Sequence, residues 1–315
     1  MDLFFATGNQ MIYLFALIFI GFILSKLGLL PESAPKVLSV LENNVFIPAL
    51  VMGTFIGNFT VDKLKSAGVL FGFSFAVMAV TVPLSVLIPK WLTKDRDTRN
   101  ICTYGLAFSN FGFMGNSVVM ALFPDLFMEY LIFTLPLWIM IYLWGVPQLL
   151  MPAAETNTLG SRFKRFLTPM LVGMLVGMGI GITGLSLPSA LTSVIQTLGS
   201  CMSPVAMLLT GITVAKISLK SVFKDRTIYL TTAVRLLAIP LAFVGLFVLW
   251  NPSDAIVICT VCSLAMPLGL NIIVVPSAYG KDPTKAAGMA LVSHLLSCIT
   301  IPLVFLLLQK FILKR

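Results

Sequence analysis

Charge is scarce in this chain. Only 10% of its 315 residues are Asp, Glu, Lys or Arg, against 58% hydrophobic residues. A soluble protein of this length could not cover so much apolar surface, so composition places the chain in a bilayer. Acids are scarcer than bases, 12 against 21. None falls at the centre of an apolar run, and Glu42, near the end of one, comes closest. That weakens the case for a cation exchanger, which wants a deep carboxylate for Na⁺ or H⁺. Histidine occurs once, as His294. A single histidine without a deep acid argues against an intramembrane lipid-modifying enzyme, which needs paired Asp, a Ser–His pair or metal ligands at depth.

Other absences exclude further classes. No run of Lys and Arg is long enough to track a phosphate backbone, so nucleic acid is not an expected partner. All five cysteines lie inside apolar runs. Cys259 and Cys262 form a C-x-x-C without a second pair, so no metal site and no cofactor are expected. The "GMGIG" stretch lacks the strand and the lysine of a nucleotide loop. The start, "MDLFFATGNQ", has no basic region, so the first apolar run is expected to stay as a helix. No alternating pattern suggests a barrel.

What is present is ten apolar runs of membrane-spanning length. They cover about 9–30, 38–57, 67–89, 101–123, 127–149, 167–186, 190–215, 228–250, 254–277 and 286–309. Lys and Arg in the gaps orient them. The odd-numbered gaps hold 15 basic residues, and the even gaps and ends hold 5. The positive-inside rule puts the odd gaps in the cytoplasm and both termini outside a cell membrane.

The one long polar gap, 151–166, separates halves that answer each other. "PALVMGTFIG" (48–57) answers "PVAMLLTGIT" (204–213), and "DKLKS" (62–66) answers "ISLKS" (217–221). Residues 1–150 and 167–315 therefore read as two five-helix repeats joined by a cytoplasmic linker. Five spans is an odd number, so the second copy is inverted. The expected fold is an all-α polytopic membrane protein of ten helices. Inverted repeats with a site at their interface are a common build of secondary transporters.

Spans four and nine hold equivalent places, and both are interrupted. Span four carries "SNFGFMGN", with Ser109, Asn110, Gly112, Gly115 and Asn116, followed by Ser117. Span nine carries "AMPLGLN", with Pro267, Gly269 and Asn271. Pro and Gly break or weaken a helix, and matched interruptions point to a transport site. A broken helix offers free N–H groups and a partial positive charge at a half-helix N-terminus, which suits a carboxylate. The other reading is that Asn and Ser only join helices.

Further polar residues need a place. Asn43 or Asn44, early in span two, is expected to line the cavity, and Glu42 to lie there or at the interface. Pro48 and Pro204 are expected to kink spans two and seven. Arg235 lies roughly 13 Å deep in a straight helix. It either binds the anion, or lies between the repeats and snorkels to the cytoplasm. His294 takes a structural hydrogen bond or serves, with Glu42, in a proton relay. Gly173, Gly177 and Gly181 in span six admit an internal neighbour or a second subunit, as in a homodimer.

Taken together, "FIPALVMGTF", "FSNFGFMGN", "SPVAMLLTGITVA", "RLLAIPL" and "AMPLGLNIIVVPSAYGKD" resemble the auxin efflux carrier family, which includes plant PIN-formed carriers and malonate or malate permeases. The resemblance runs nearly the full length. It implies a scaffold of helices 1, 2, 6 and 7 and a transport unit of helices 3–5 and 8–10. Helices 4 and 9 would be broken and crossed, as in bile-acid symporters and sodium–proton antiporters. It also implies elevator-like transport of an organic anion. The family pattern in span four runs Asn-Thr-Gly-Phe-x-Gly, then an apolar residue and Pro. Asn110, Gly112, Phe113 and Gly115 match, whereas Phe111, Asn116 and Ser117 depart from it. Auxin is therefore not carried over as substrate. The expected function is secondary transport of a small organic anion, a mono- or dicarboxylate. A sodium- or proton-coupled symporter is the alternative, and membrane lipids are the other expected partner.

Overall fold

A computed structural model describes residues 3–151, 168–215, 225–278 and 284–313. Among them there is no strand, only a single isolated bridge between extended segments. The helices, in chain order, are α1 (Leu3–Lys26), α2 (Ala34–Asn58) and α3 (Val61–Leu92). There follow α4 (Arg96–Ala107), α5 (Phe111–Leu122) and α6 (Pro124–Leu150). Beyond residue 167 come α7 (Pro169–Thr183), α8 (Ser189–Ala215) and α9 (Arg226–Trp250). Last are α10 (Asp254–Leu264), α11 (Asn271–Ala278) and α12 (Thr284–Leu313). Seven of these are long and apolar enough to cross a membrane: α1, α2, α3, α6, α8, α9 and α12. Outward faces carry large apolar side chains such as Ile12, Phe19 and Leu249, which suit lipid and not water.

The linker expected over 151–166 lies outside the described residues except for Met151, as do "ISLKS" and Lys281. Two contacts relate the remaining gaps. Lys285 Nζ is 3.2 Å from Thr98 Oγ1 and 3.8 Å from Asp225 Oδ2, which brings the starts of α4, α9 and α12 to one face. Lys63 Nζ is 3.7 Å from Glu129 Oε1, which joins the starts of α3 and α6.

Small residues let backbones touch. Gly21 of α1 meets the backbone of Leu208 in α8, and Gly211 of α8 meets the backbone of Ile18. In α7 a Cβ at Gly173, Gly177 or Gly181 would stand 2.8, 2.7 or 2.6 Å from a carbonyl oxygen of α2, namely Pro48, Met52 or Phe55. The glycine stripe of span six is thus used internally, against α2, and is not open to a second subunit.

Two prolines explain two wide turns. Proline has no N–H, and its ring crowds the carbonyl four residues back. The residue before each one donates five residues back instead: Ile47 to Glu42 O before Pro48, and Ile239 to Val234 O before Pro240. The turns so widened are Glu42–Phe46 and Val234–Ala238. Such π turns cluster at functional positions, and here they carry Glu42, Asn43 and Arg235. In α8 the helix is interrupted at Cys201, three residues before Pro204.

Candidate functional site

Two helices stop near the middle of the molecule. Asp95 caps α4 by accepting from the Thr98 N–H at 2.9 Å, and α4 ends at Ala107. α10 ends at Leu264, before Pro267 and Gly269. The unwound segments run antiparallel, with Ser109 opposite Leu268. The Asn110 N–H donates to Pro267 O at 2.7 Å, and the Gly269 N–H donates to Phe108 O at 3.3 Å. Extended backbone buried from solvent must be satisfied by protein, and each segment bonds the other. Gly269 permits the approach, because a Cβ there would sit 3.1 Å from Ser109 O and 3.2 Å from Phe108 O.

Arg235 holds the crossing from behind. It is 1% exposed and, among the described residues, has no acid partner. Its Nη1 donates to Leu106 O at 2.9 Å, its Nη2 to Ser263 O at 3.1 Å, and its Nε to Met266 O at 3.2 Å. Those carbonyls belong to the C-terminal ends of α4 and α10 and the segment just beyond, where helix dipoles concentrate negative charge. The side chain neither snorkels nor lines the cavity. Ser263 O also accepts from Ser109 Oγ at 2.6 Å.

In front of the crossing lies a cavity of about 680 Å³, within the usual range for small-molecule sites. Ser109, Asn110, Gly112 and Asn271 line it, together with Gly269 and Asn43. Its mouth carries Glu32, Lys36 and Thr284. Glu32 is the one acid lining it among the described residues. The amides of Phe111, Gly112 and Phe113 precede the first helical bonds of α5, which run from Met114 and Gly115 to Asn110 O. α11 likewise begins at the cavity, with Asn271.

The expected site residues divide. Asn110 is 3% exposed, and its Nδ2 lies 3.1 Å from His294 Nε2. Asn271 Nδ2 donates to Tyr104 OH at 2.9 Å. Asn43 lines the cavity, while Asn44 is exposed elsewhere and folds back onto Val40 O at 2.8 Å. Asn116 is buried but does not line this cavity, because a full turn of α5 intervenes. Ser117 bonds Phe113 O at 2.8 Å and borders a second cavity, of about 490 Å³, between α1, α2, α5 and α8. Gly112 and Gly115 do more than weaken a helix. A Cβ at Gly112 would meet Trp138 at 2.5 Å, and one at Gly115 would strike the Tyr130 hydroxyl.

His294 sits behind Asn110 and outside the cavity lining, with Nδ1 2.7 Å from Ala290 O. Glu42 is fully buried and does not line the cavity, and neither carboxylate oxygen has a partner. Glu42 and His294 share no hydrogen bond: the ring of His294 is bonded to Ala290 O and Asn110, and the Glu42 oxygens have no partner. Among the described residues no cluster of His, Cys, Asp and Glu suits a metal.

Aromatic lining was missed from the sequence. Tyr104, Trp138 and Tyr142 all border the cavity. Trp138 stacks on Tyr142 with ring centres 6.1 Å apart and meets Phe111 edge-on at 5.1 Å. The i, i+4 spacing of Trp138 and Tyr142 was the available signal.

Seven long apolar helices, and two further helices that stop beside an open cavity, are the build of a multi-pass membrane protein. The chain belongs to the membrane transport protein family, the auxin efflux carrier family, whose model matches residues 7–164 and 156–305. No curated protein matches the chain.

Proposed function

We propose that this protein is a secondary carrier for a small carboxylate, bound in the cavity before the crossing of the two broken helices. One observation carries the reading: two half-helix N-termini and the amides of Asn110 and Asn271 converge on a cavity whose only acid, among the described residues, stands at its mouth. Oriented N–H groups favour an anion, and the aromatic wall of Trp138 and Tyr142 suits its carbon skeleton.

In this reading α4 with α5 and α10 with α11 each make one broken span, which completes ten spans in two inverted repeats. The basic face that joins α4, α9 and α12 is cytoplasmic, so the cavity opens to the cytoplasm of a cell membrane. The unit holding the crossing moves against α2 and α8 in an elevator-like cycle. No catalytic role is assigned. The test is uptake into reconstituted vesicles, read across a panel of mono- and dicarboxylates. Asn110→Ala should abolish uptake in a protein that still folds, and normal uptake in that variant would sink the assignment.

A further inference from the structure

The hydrogen-bond order around His294 follows from chemistry. Ala290 O can only accept, so Nδ1 carries the ring hydrogen. Nε2 is then bare and accepts from Asn110 Nδ2 at 3.1 Å. The amide therefore turns its nitrogen to the ring and leaves Oδ1 directed away from it. His294 is 3% exposed, and Asn110 separates it from the cavity.

Among the described residues, no carboxylate forms an ion pair with the ring. Of the helices packed on α12, α8 and α11 carry no Asp, Glu, Lys, Arg or His. From α1 come Tyr13 and Lys26. From α9 come Arg226, Tyr229 and Arg235, the last with its guanidinium turned to three carbonyls. From α4 come Arg96, Asp97 and Arg99 near its start, then Cys102 and Tyr104. The single carboxylate in that set, Asp97, stands in the first turn of α4, while Asn110 lies beyond the last.

We propose that His294 is the proton-binding group of this carrier and acts through Asn110, so that a proton and a carboxylate bind together. The proposal rests on the reading that the cavity takes a carboxylate. A proton from the aqueous cavity adds to the lone pair of Nε2, and no other bond forms or breaks. Nε2–H must then donate, so the Asn110 amide turns over and presents Oδ1 to the ring. Both hydrogens of Nδ2 then face the cavity. The neutral pair offers a carboxylate a repelling oxygen, whereas the protonated pair offers two donors with a cation behind them. A buried imidazolium without a counter-ion is costly, and the carboxylate supplies one. Linkage makes the effect reciprocal: the factor by which the proton raises anion affinity is the factor by which the anion raises proton affinity. His294 is a positioning residue, since Asn110 stands between it and the cargo.

His294 is the only histidine, so ¹⁵N-histidine labelling of untagged protein in lipid nanodiscs reports one ring. The empty protein should show the hydrogen on Nδ1 and a bare Nε2. On acidification, Nε2 should gain a proton in the same step that moves the Asn110 amide resonance. Succinate or acetate should shift that step upward by about one pH unit, the tenfold coupling typical of linked sites. In His294→Gln, which keeps a neutral acceptor, anion binding should lose its pH dependence. A hydrogen on Nε2 in the empty protein, or a titration to which the Asn110 amide is blind, overturns the proposal. So does a wild-type pH profile in His294→Gln. Should that variant fail to fold, the two spectroscopic outcomes still decide. A working switch that ignores both anions supports the His294–Asn110 device and counts against a carboxylate as cargo.

Discussion

Arg235 Nη1 lies 2.9 Å from the carbonyl oxygen of Leu106, in the last turn of α4. The same guanidinium binds Ser263 O at the end of α10 and Met266 O just beyond it, so one side chain ties both broken helices together. Its three partners are carbonyls and not acids, which leaves its charge offset only by helix dipoles. Arg235→Gln removes the fork and leaves buried carbonyls unpaired, at a cost of about 3 kcal/mol. The expected outcome is a clear drop in the thermal unfolding midpoint in detergent. Arg235→Lys should recover little of it, because an ammonium cannot span three fixed acceptors. Full stability in Arg235→Lys would contradict the tie.

Glu42 makes the opposite prediction. Both of its oxygens are buried without a partner, so the carboxyl group costs stability where it stands. Glu42→Gln keeps its shape and removes the possibility of charge. Stability should stay equal or rise, by about 1 kcal/mol. A lower unfolding midpoint in Glu42→Gln would show that the carboxylate has a favourable role.

Asn271 is held toward the cavity by Tyr104 OH at 2.9 Å. Tyr104→Phe deletes the acceptor, frees the amide and should weaken anion binding by about 1 kcal/mol, five- to tenfold in Kd. Isothermal titration with the anion that gives the largest thermal shift measures it. An unchanged Kd would remove Asn271 from the site.

Asp95 ties pH to the start of α4. Hydrogen bonds from the Thr98 hydroxyl and the Thr98 N–H hold its carboxyl below the ordinary value of 3.8. A depressed folded value means stability that is present above the unfolded value and lost as pH falls through the folded one. Acid, below about pH 4, should therefore loosen α4 first. Asp95→Asn retains a neutral cap and should flatten that acid limb in a pH series of unfolding midpoints. An acid limb identical to wild type would refute the cap's part in it.

Much of the fold was legible in the residues because its causes are local. Long apolar runs need a bilayer, and Pro267 and Gly269 interrupt a helix whatever surrounds them. The pairing of the two breaks was harder to read, since Ser109 and Leu268 are far apart in the chain. The aromatic wall was overlooked because an aromatic in an apolar run looks like any lipid-facing residue. The same blindness covered Glu42, whose depth depends on how α2 turns against α7 and α8.

Hydropathy, basic gaps and helix breakers are properties of neighbouring residues, and by themselves they determined the class of protein, its helical build and the two stretches where helices stop. Only tertiary structure decided which polar groups serve the cavity. Adjacent asparagines point about 100° apart on a helix, so packing, not composition, selected Asn43 over Asn44. Packing likewise set Asn110 against His294, turned Asn116 away and gave the glycines of α7 to α2. The fate of Arg235 was decided there too, because carbonyls at two distant helix ends become a binding site for a cation only once the helices meet.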